Sequence, residues 1–214
     1  MKKIVLSLFI LALALSASAV WADGFEIQPF VGATSKSNIN LTNASDSKLQ
    51  FDAGFQWGFT IGGLFGENRN LGIDFHFDSV HTATVVKSTG KGLFDMHNQS
   101  YYGDFLYHFG GKDSRIRPYG LVGIGLTHFN PVAANEVVGD LTGATKFGIA
   151  VGGGAKAYFS PRLGFRGELR YSFTKLNSNA DEIFCVAGDG CFVDGTASNT
   201  LNQLAFTGGL IIRM

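Results

Sequence analysis

The chain has little charge, few cysteines and no long apolar run after its N-terminus. Charged residues make up 16% of the sequence, and 17 basic residues are matched by 17 acidic ones. Because no basic patch stands out from this balance, we expect no nucleic-acid partner. The 2 cysteines cannot hold zinc by themselves, since a zinc site needs about four ligands. Beyond residue 22, nothing looks like a membrane-spanning helix, which requires about 20 apolar residues.

Glycine and phenylalanine are abundant instead, with 29 and 20 copies. A chain this aromatic and this poor in charge differs from a disordered segment, which is usually polar and highly charged. Its length fits one folded domain.

The first 22 residues have the order of a secretory signal peptide. Lys2 and Lys3 precede an apolar run over residues 4–15, and small residues follow at 16–19. That run is well below the roughly 20 residues that a membrane-spanning helix needs. Cleavage could follow Ala19 or Ala22. We take the leader as residues 1–22 and the mature domain as residues 23–214.

Eight later segments alternate apolar residues with polar or small ones. In the last of them, Leu204 and Phe206 alternate with Gln203 and Thr207. This period of two predicts β-strands, and the lengths suit tilted membrane strands of about 9 to 11 residues. The segments are residues 25–33, 50–65, 71–78, 101–109, 116–129, 145–159, 163–173 and 203–214.

One face of each strand is predicted to touch lipid, and the other to line a closed interior. In residues 163–173, Phe165 and Leu169 share a face opposite Arg166 and Glu168. Both faces of residues 116–129 are apolar or small. There we favour an outward Val122, Ile124 and Leu126 and an inward Gly123, Gly125 and Thr127. Glycines at 54, 58, 62, 123, 125 and 152–154 are expected to relieve crowding inside.

The connections between the segments alternate in length. Those over residues 34–49, 86–93, 130–143 and 176–199 are long and polar, whereas those over 66–70, 110–115 and 160–162 are short. Outer-membrane barrels have long loops outside the cell, short turns in the periplasm and both termini in the periplasm. We expect the same topology, because an even number of strands returns the C-terminus to the side of the N-terminus.

The chain resembles a known family at these points. The leader, the eight strands and the loop rhythm are joined by the runs Arg117-Pro118-Tyr119-Gly120, Gly164-Phe165-Arg166-Gly167-Glu168-Leu169-Arg170-Tyr171 and Gly209-Leu210-Ile211-Ile212-Arg213. Together they resemble the OmpA-type or OmpX-type outer-membrane proteins, including opacity-protein-like surface antigens. The resemblance implies an all-β, eight-stranded antiparallel up-and-down transmembrane β-barrel, monomeric and embedded in outer-membrane lipid. The chain departs from the family by ending on Met214, where an aromatic residue is usual, and we expect no peptidoglycan-binding domain after the barrel.

Polar residues of both charge signs fall on the predicted inner face. In a narrow lumen such charges should form ion pairs with trapped water, because an unpaired buried charge costs several kcal/mol. We therefore predict a polar plug without a wide channel. Asp52 and Lys146 face the same way as the predicted network, which comprises Glu26, Asp74, His76, Asp78, Asp104, His108, Lys156, Arg166, Glu168 and Arg170.

The run Asp74-x-His76-x-Asp78 also admits an acid–base dyad or a metal site, with Asp104 and His108 on the adjacent strand. A solvated structural network is the commoner outcome of such a cluster. Ser79 should point outward, away from any base. We predict no catalytic residue, no metal ligand and no cofactor, and therefore a protein that is not an enzyme.

Aromatic residues gather toward the strand ends, where they are expected to form the interfacial girdles of a membrane barrel. Ordinary strand preference for aromatics explains each single residue about as well. The predicted girdle residues are Trp57, Tyr101, Tyr107, Phe109, Tyr119, Phe159, Tyr171 and Phe173.

Cys185 and Cys191 are predicted to form a disulfide that closes a small loop of an exported protein. Such a short loop gives local rigidity more than global stability. Phe184, Phe192 and Val193 lie beside it and make it a plausible contact surface.

The leading functional hypothesis is an outer-membrane anchor whose loops serve surface interaction or envelope integrity. A host surface, lipopolysaccharide and another envelope protein are all open as partners. Alternatives are a low-conductance porin, an envelope enzyme acting on lipid, and a soluble lipocalin-like carrier with its apolar face inside.

Overall fold

The computed structural model describes residues 24–35, 37–40, 48–86, 92–111, 114–133, 144–175, 185–186, 190–191 and 200–214. The predicted leader therefore lies outside the described residues. Within the described ranges, no helix is long and apolar enough to cross a membrane. The strands are β1 (Phe25–Thr34), β2 (Ser37–Asn40), β3 (Lys48–Phe51), β4 (Gly54–Phe65), β5 (Leu71–Val86), β6 (Gly92–His108), β7 (Ile116–Ala133), β8 (Ala144–Tyr158), β9 (Leu163–Lys175), β10 (Cys185–Val186), β11 (Gly190–Cys191) and β12 (Thr200–Arg213).

Eight of these strands close into an antiparallel barrel, as predicted. Their order around the wall is β1-β12-β9-β8-β7-β6-β5-β4, and β4 pairs with β1 to complete the circle. The closing pair of the two chain ends, β1 and β12, runs in register from Glu26↔Arg213 to Thr34↔Ala205. Closure leaves no free sheet edge in the wall, which is the condition for crossing hydrocarbon with strands. Strands β2 and β3 form a hairpin that adds to the end of β5.

Side chains alternate between the two faces of the wall in the predicted phase. On β9, Phe165 and Leu169 are 56% and 50% exposed, whereas Arg166 and Glu168 are 5% and 2% exposed. The alternative of a soluble carrier, with its apolar face inside, is wrong for this reason. Strand β7, whose two faces are both apolar or small, has the orientation that we favoured. Val122, Ile124 and Leu126 are exposed, and Gly123 and Thr127 are buried.

The strands extend further than predicted at the end of the barrel that bears the long connections. β5 continues to Val86, and β6 already begins at Gly92. Outward residues at this end, such as Asp95 and Gln99, are polar. The sequence therefore no longer alternates between apolar and polar residues there, although the strands remain hydrogen-bonded to each other. The predicted strand 50–65 is instead divided between β3 and β4. The predicted loops 34–49 and 176–199 also contain short strands, β2 with the first half of β3 in the former, and β10 with β11 in the latter.

The short turns lie at the opposite end, together with the start of β1 and the end of β12. Gly66 and Gly110 lie in the turns that follow β4 and β6. Their φ angles are 88° and 98°, a backbone region that glycine enters without strain. The amide of Met214 donates to the carbonyl of Phe25 at 3.0 Å. We call this the turn end of the barrel and the other the loop end.

Aromatic side chains cover much of the outer face. Phe77 packs between Phe59 and Tyr101, with ring centroids 5.3 Å from each, and Tyr107 packs on Phe109 at 5.2 Å. The prediction for Tyr119 is wrong, because this residue is 3% exposed and points into the lumen. Tyr119 has the phase of Gly123 and Thr127 on the same strand, so the alternation itself assigns it to the inner face.

We predict that Leu169→Arg destabilises the barrel in lipid vesicles by about 2–4 kcal/mol, because Leu169 lies midway along a lipid-facing strand. Ile116→Arg is the matched control at the turn end, where an outward arginine reaches the interface and costs about 0–1 kcal/mol. Denaturant unfolding of both variants in vesicles gives the two free energies. Equal costs would contradict a lipid-facing outer surface.

Candidate functional site

The interior of the barrel holds a central cluster of charged side chains built on β9. Arg166 binds Asp74 on β5, the strand diametrically opposite, with Nη1 3.2 Å from Oδ2. The same guanidinium donates to Gln28 on β1, to the hydroxyl of Tyr119 on β7 at 2.7 Å, and to Glu168. Arg166 thus joins its own strand, β9, to three others: β1, β5 and β7.

Arg170 repeats this arrangement nearer the loop end. Its guanidinium pairs with Asp104 on β6, and its Nε donates to Oε1 of Glu168 at 3.0 Å. Glu168 lies between the two arginines and also accepts a 2.7 Å hydrogen bond from the hydroxyl of Tyr119. A buried ion pair offsets its desolvation only when the remaining donors and acceptors are also bound, and this cluster meets that condition.

A second cluster lies toward the turn end around Glu26. Its carboxylate accepts from Lys156 Nζ at 2.7 Å, from the Tyr158 hydroxyl at 2.7 Å and from Arg213 at 2.8 Å. Lys156 and Tyr158 come from β8, and Arg213 from β12, so this cluster joins both strands to β1, which carries Glu26. The Gln28 side chain links the two clusters. Its amide nitrogen donates to Glu26 at 2.8 Å, and its carbonyl oxygen accepts from Arg166 of the central cluster.

The predicted Asp74-x-His76-x-Asp78 run does not gather into one site. His76 contacts Asp78 at 3.2 Å and Thr60 at 3.3 Å, and its ring stacks on Phe30. Asp74 is instead held by Arg166. No group of three or more His, Cys, Asp or Glu side chains among the described residues is arranged to hold a metal ion.

All ten residues of the predicted network are buried, each with 5% or less of its surface exposed. Nine of them take part in the contacts above. His108 differs, since neither of its ring nitrogens has a hydrogen-bond partner. Ser79 faces outward with Trp57 and Gln99 beside it in register, as predicted, and so lies away from the buried histidines.

The predicted network omitted five large polar residues that lie in the two charged clusters or beside them at the turn end of the lumen. Each lies on the polar or inward phase of its strand, so the alternation carried a signal for all of them. The residue types hid some of that signal, because tyrosine fits a membrane girdle as well as a lumen. These residues are Gln28, Arg117, Tyr119, Tyr158 and Arg213.

The loop-end part of the lumen has a different chemistry. Buried apolar side chains from four strands occur there, namely Val80, Met96, Phe129 and Leu201. Asn98 and Gln56 are buried beside this level, each with its amide oxygen unpartnered. The charged clusters are therefore covered on the loop side by uncharged side chains.

Glycine in the neighbouring strand makes room for the central carboxylates. Asp74 lies opposite Gly62, and Asp104 lies opposite Gly123. A Cβ atom on either glycine would overlap the Oδ1 atom of the facing aspartate. The predicted role of these glycines in relieving crowding is confirmed at these two positions.

An apolar hollow of about 500 Å³ lies on the outer face where the chain ends pair. Pro29 lacks an amide hydrogen, and the paired register of β1 and β12 is interrupted there before resuming at Phe30↔Gly209. Gly208 adds no side chain to the wall beside it. The hollow is lined by Pro29, Phe30, Val31, Phe165, Arg166, Gly208, Gly209 and Leu210.

Cys185 and Cys191 face each other in register across β10 and β11. Their side chains lie outside the described residues, as do Phe184, Phe192 and Val193. The disulfide therefore stays a prediction.

Most of the sequence matches a known protein family. The family described as "Outer membrane protein beta-barrel domain" matches residues 6–203. The chain belongs to this family. Membership agrees with the resemblance drawn from the sequence and implies the outer membrane of a Gram-negative-type envelope. No curated protein matches the chain.

Solved structures of outer-membrane barrels share the fold at low sequence identity. OprG from Pseudomonas aeruginosa is 18% identical, with a TM-score of 0.64 over 91% of this chain and 97% of that one. AlkL, solved in lipid bilayers, is 13% identical, with a TM-score of 0.59 over 91% and 92%. Neisserial surface protein A is 13% identical, with a TM-score of 0.57 over 89% and 97%.

We predict that Gly123→Ala destabilises the barrel by about 1–3 kcal/mol, because the new methyl group displaces the Asp104 carboxylate from Arg170. Gly167→Ala is the matched control on β9, where an added Cβ meets no atom within 4 Å. That change should alter stability by less than about 0.5 kcal/mol. Chemical unfolding of both variants checks this, and a neutral Gly123→Ala would argue against a tightly packed carboxylate.

Proposed function

We propose that the protein is a sealed outer-membrane anchor that presents its loop-end segments at the cell surface. In this proposal the turn end, with both termini, faces the periplasm, and residues 1–22 are the leader removed on export. The long connections over residues 34–49, 130–143 and 176–199 carry the contacts with other molecules. Interaction with a surface or envelope component, rather than catalysis, is the function.

The observation that carries the proposal is the ion pair between Arg166 and Asp74. These residues lie on diametrically opposite strands, so their contact spans the full width of the lumen. Arg170 and Asp104 form a second bridge across the interior. A water-filled path would have to separate both pairs, and breaking a buried pair by removing one partner costs about 3–5 kcal/mol.

The outer surface supports the anchoring role. Exposed apolar residues occur on all eight strands of the wall, including Val31, Phe55, Ile73, Phe105, Ile124, Phe147, Leu169 and Phe206. A continuous apolar exterior of this kind is stable in lipid and aggregates in water. A rigid barrel beneath long connections is the usual arrangement when loops carry recognition.

Planar-bilayer recording tests the sealed interior. We expect the reconstituted wild-type protein to give no stable unit currents, because its central ion pairs cross the lumen. Arg162→Ala, at an exposed position of the turn end, is the matched control for Arg166→Ala and Glu168→Ala. Wild-type unit currents that change in the two lumen variants but not in Arg162→Ala would establish a low-conductance porin instead.

Protease treatment of intact cells tests the surface presentation. We expect cleavage within residues 130–143 or 176–199, and protection of the turn at 66–70 until the outer membrane is permeabilised. Mass spectrometry of the fragments locates the cuts. Cleavage at 66–70 in intact cells would reverse the proposed orientation.

A further inference from the structure

A group of cationic and neutral nitrogen donors lies inside the turn end of the barrel, apart from the central cluster. Arg117 and Lys156 occupy facing positions on β7 and β8 and are both 0% exposed. His108, also 0% exposed, lies beside Tyr119 on the neighbouring strand pair, with ring centroids 5.4 Å apart. The Nζ atom of Lys156 lies over the same Tyr119 ring, 5.9 Å from its centroid.

Arg117 is a buried cation without a carboxylate partner among the described residues. Its Nη2 donates to the carbonyl oxygen of Arg69 at 2.6 Å, and more weakly to that of Asn68 at 3.5 Å. Within the described ranges, its Nε and Nη1 atoms have no hydrogen-bond partner. A guanidinium stays charged at every accessible pH, so it cannot escape this cost by losing a proton.

The carboxylate nearest in the fold cannot neutralise it. Glu26 already accepts from Lys156, Arg213 and Tyr158, and so is shared between two cations. Arg117 therefore leaves this end of the lumen with more positive than negative charge. The central cluster has the opposite balance, because Asp74, Asp104 and Glu168 face only Arg166 and Arg170.

His108 adds a second set of unpartnered atoms at the same place. Both of its ring nitrogens are buried and make no hydrogen bond to any described residue, although a neutral imidazole carries one donor. Buried polar atoms are normally bound by protein, by water or by an ion. Unpartnered donors beside an excess of positive charge match an anion better than they match a cation.

We propose that Arg117, His108 and Lys156 form a binding site for a small inorganic anion of the halide class at the turn end of the lumen. Arg117 supplies the charge and two N–H donors, and His108 supplies a further N–H. The ion is small because all three side chains are fully enclosed. The site is independent of what the loops bind, so the proposed function can fail without affecting it.

Chloride-35 NMR of the purified barrel in detergent tests the site directly. Exchange with a bound chloride ion broadens the resonance of the chloride in solution. Titration with bromide should reverse that broadening, because bromide competes for the same site. We expect Arg117→Met to weaken chloride affinity by about tenfold or more, because it removes a charge and its hydrogen bonds. Arg115→Met is the matched control, since Arg115 precedes Arg117 on the chain but is exposed, and it should leave the affinity unchanged.

Arg117→Lys keeps the positive charge, so it still tests the site if Arg117→Met fails to fold. It should retain binding that is weaker than in the wild type, and heat-modifiable migration on gels verifies that each variant is folded. A bromide-soaked crystal should show an anomalous peak beside the Arg117 guanidinium. Equal broadening in the wild type and in folded Arg117→Met, or only water at that position in the bromide crystal, would overturn the proposal.

Discussion

The interior of this barrel is organised by two arginines on one strand. Arg166 and Arg170 point inward from β9 and reach carboxylates on β5 and β6, on the far side of the lumen. Glu168 lies between them and prevents two like charges from facing each other alone. In an eight-stranded barrel the interior is only wide enough for side chains to fill it, so such a contact closes the lumen as well as joining its walls.

The wall is adapted to these contacts by its glycines. Each aspartate that binds an arginine lies opposite a glycine on the next strand, and Glu168 and Arg170 likewise face Gly154 and Gly152. A Cβ atom at Gly62 or Gly123 would occupy the space of the facing carboxylate, whereas at Gly154 it would meet the Tyr119 hydroxyl and the wall backbone, and at Gly152 the wall backbone. The abundance of glycine is thus coupled to the size of the interior residues, whereas Phe and Leu supply the lipid-facing surface.

The division of the lumen into levels bears on function. Uncharged side chains cover the loop end, paired charges fill the middle, and an excess of cations occupies the turn end. Among the residues that the structure describes, these levels form no continuous row of one charge sign, which an ion path would favour. The proposed anchoring role rests on this closed interior, and recognition is proposed for the long connections.

The alternation of residues determined much of the fold by itself. Closure, strand count and the lipid-facing side follow from period-two patterns and from the rhythm of long and short connections, because a strand side chain has only two directions to point. The same alternation placed the network residues inside. It failed at the strand ends beyond the lipid, where outward polar residues remove the contrast. At Tyr119 the alternation pointed inward, and the residue type misled because tyrosine suits both faces.

Only the tertiary structure decided which charges meet. Asp74 lies near His76 along the chain, yet it binds Arg166 on the opposite wall, and His108 remains without a hydrogen bond although it belongs to the same inward face. These partners depend on the register and curvature of eight strands. A local pattern of residues predicts whether each side chain points inward or outward, but it does not predict which side chains of opposite strands come within bonding distance.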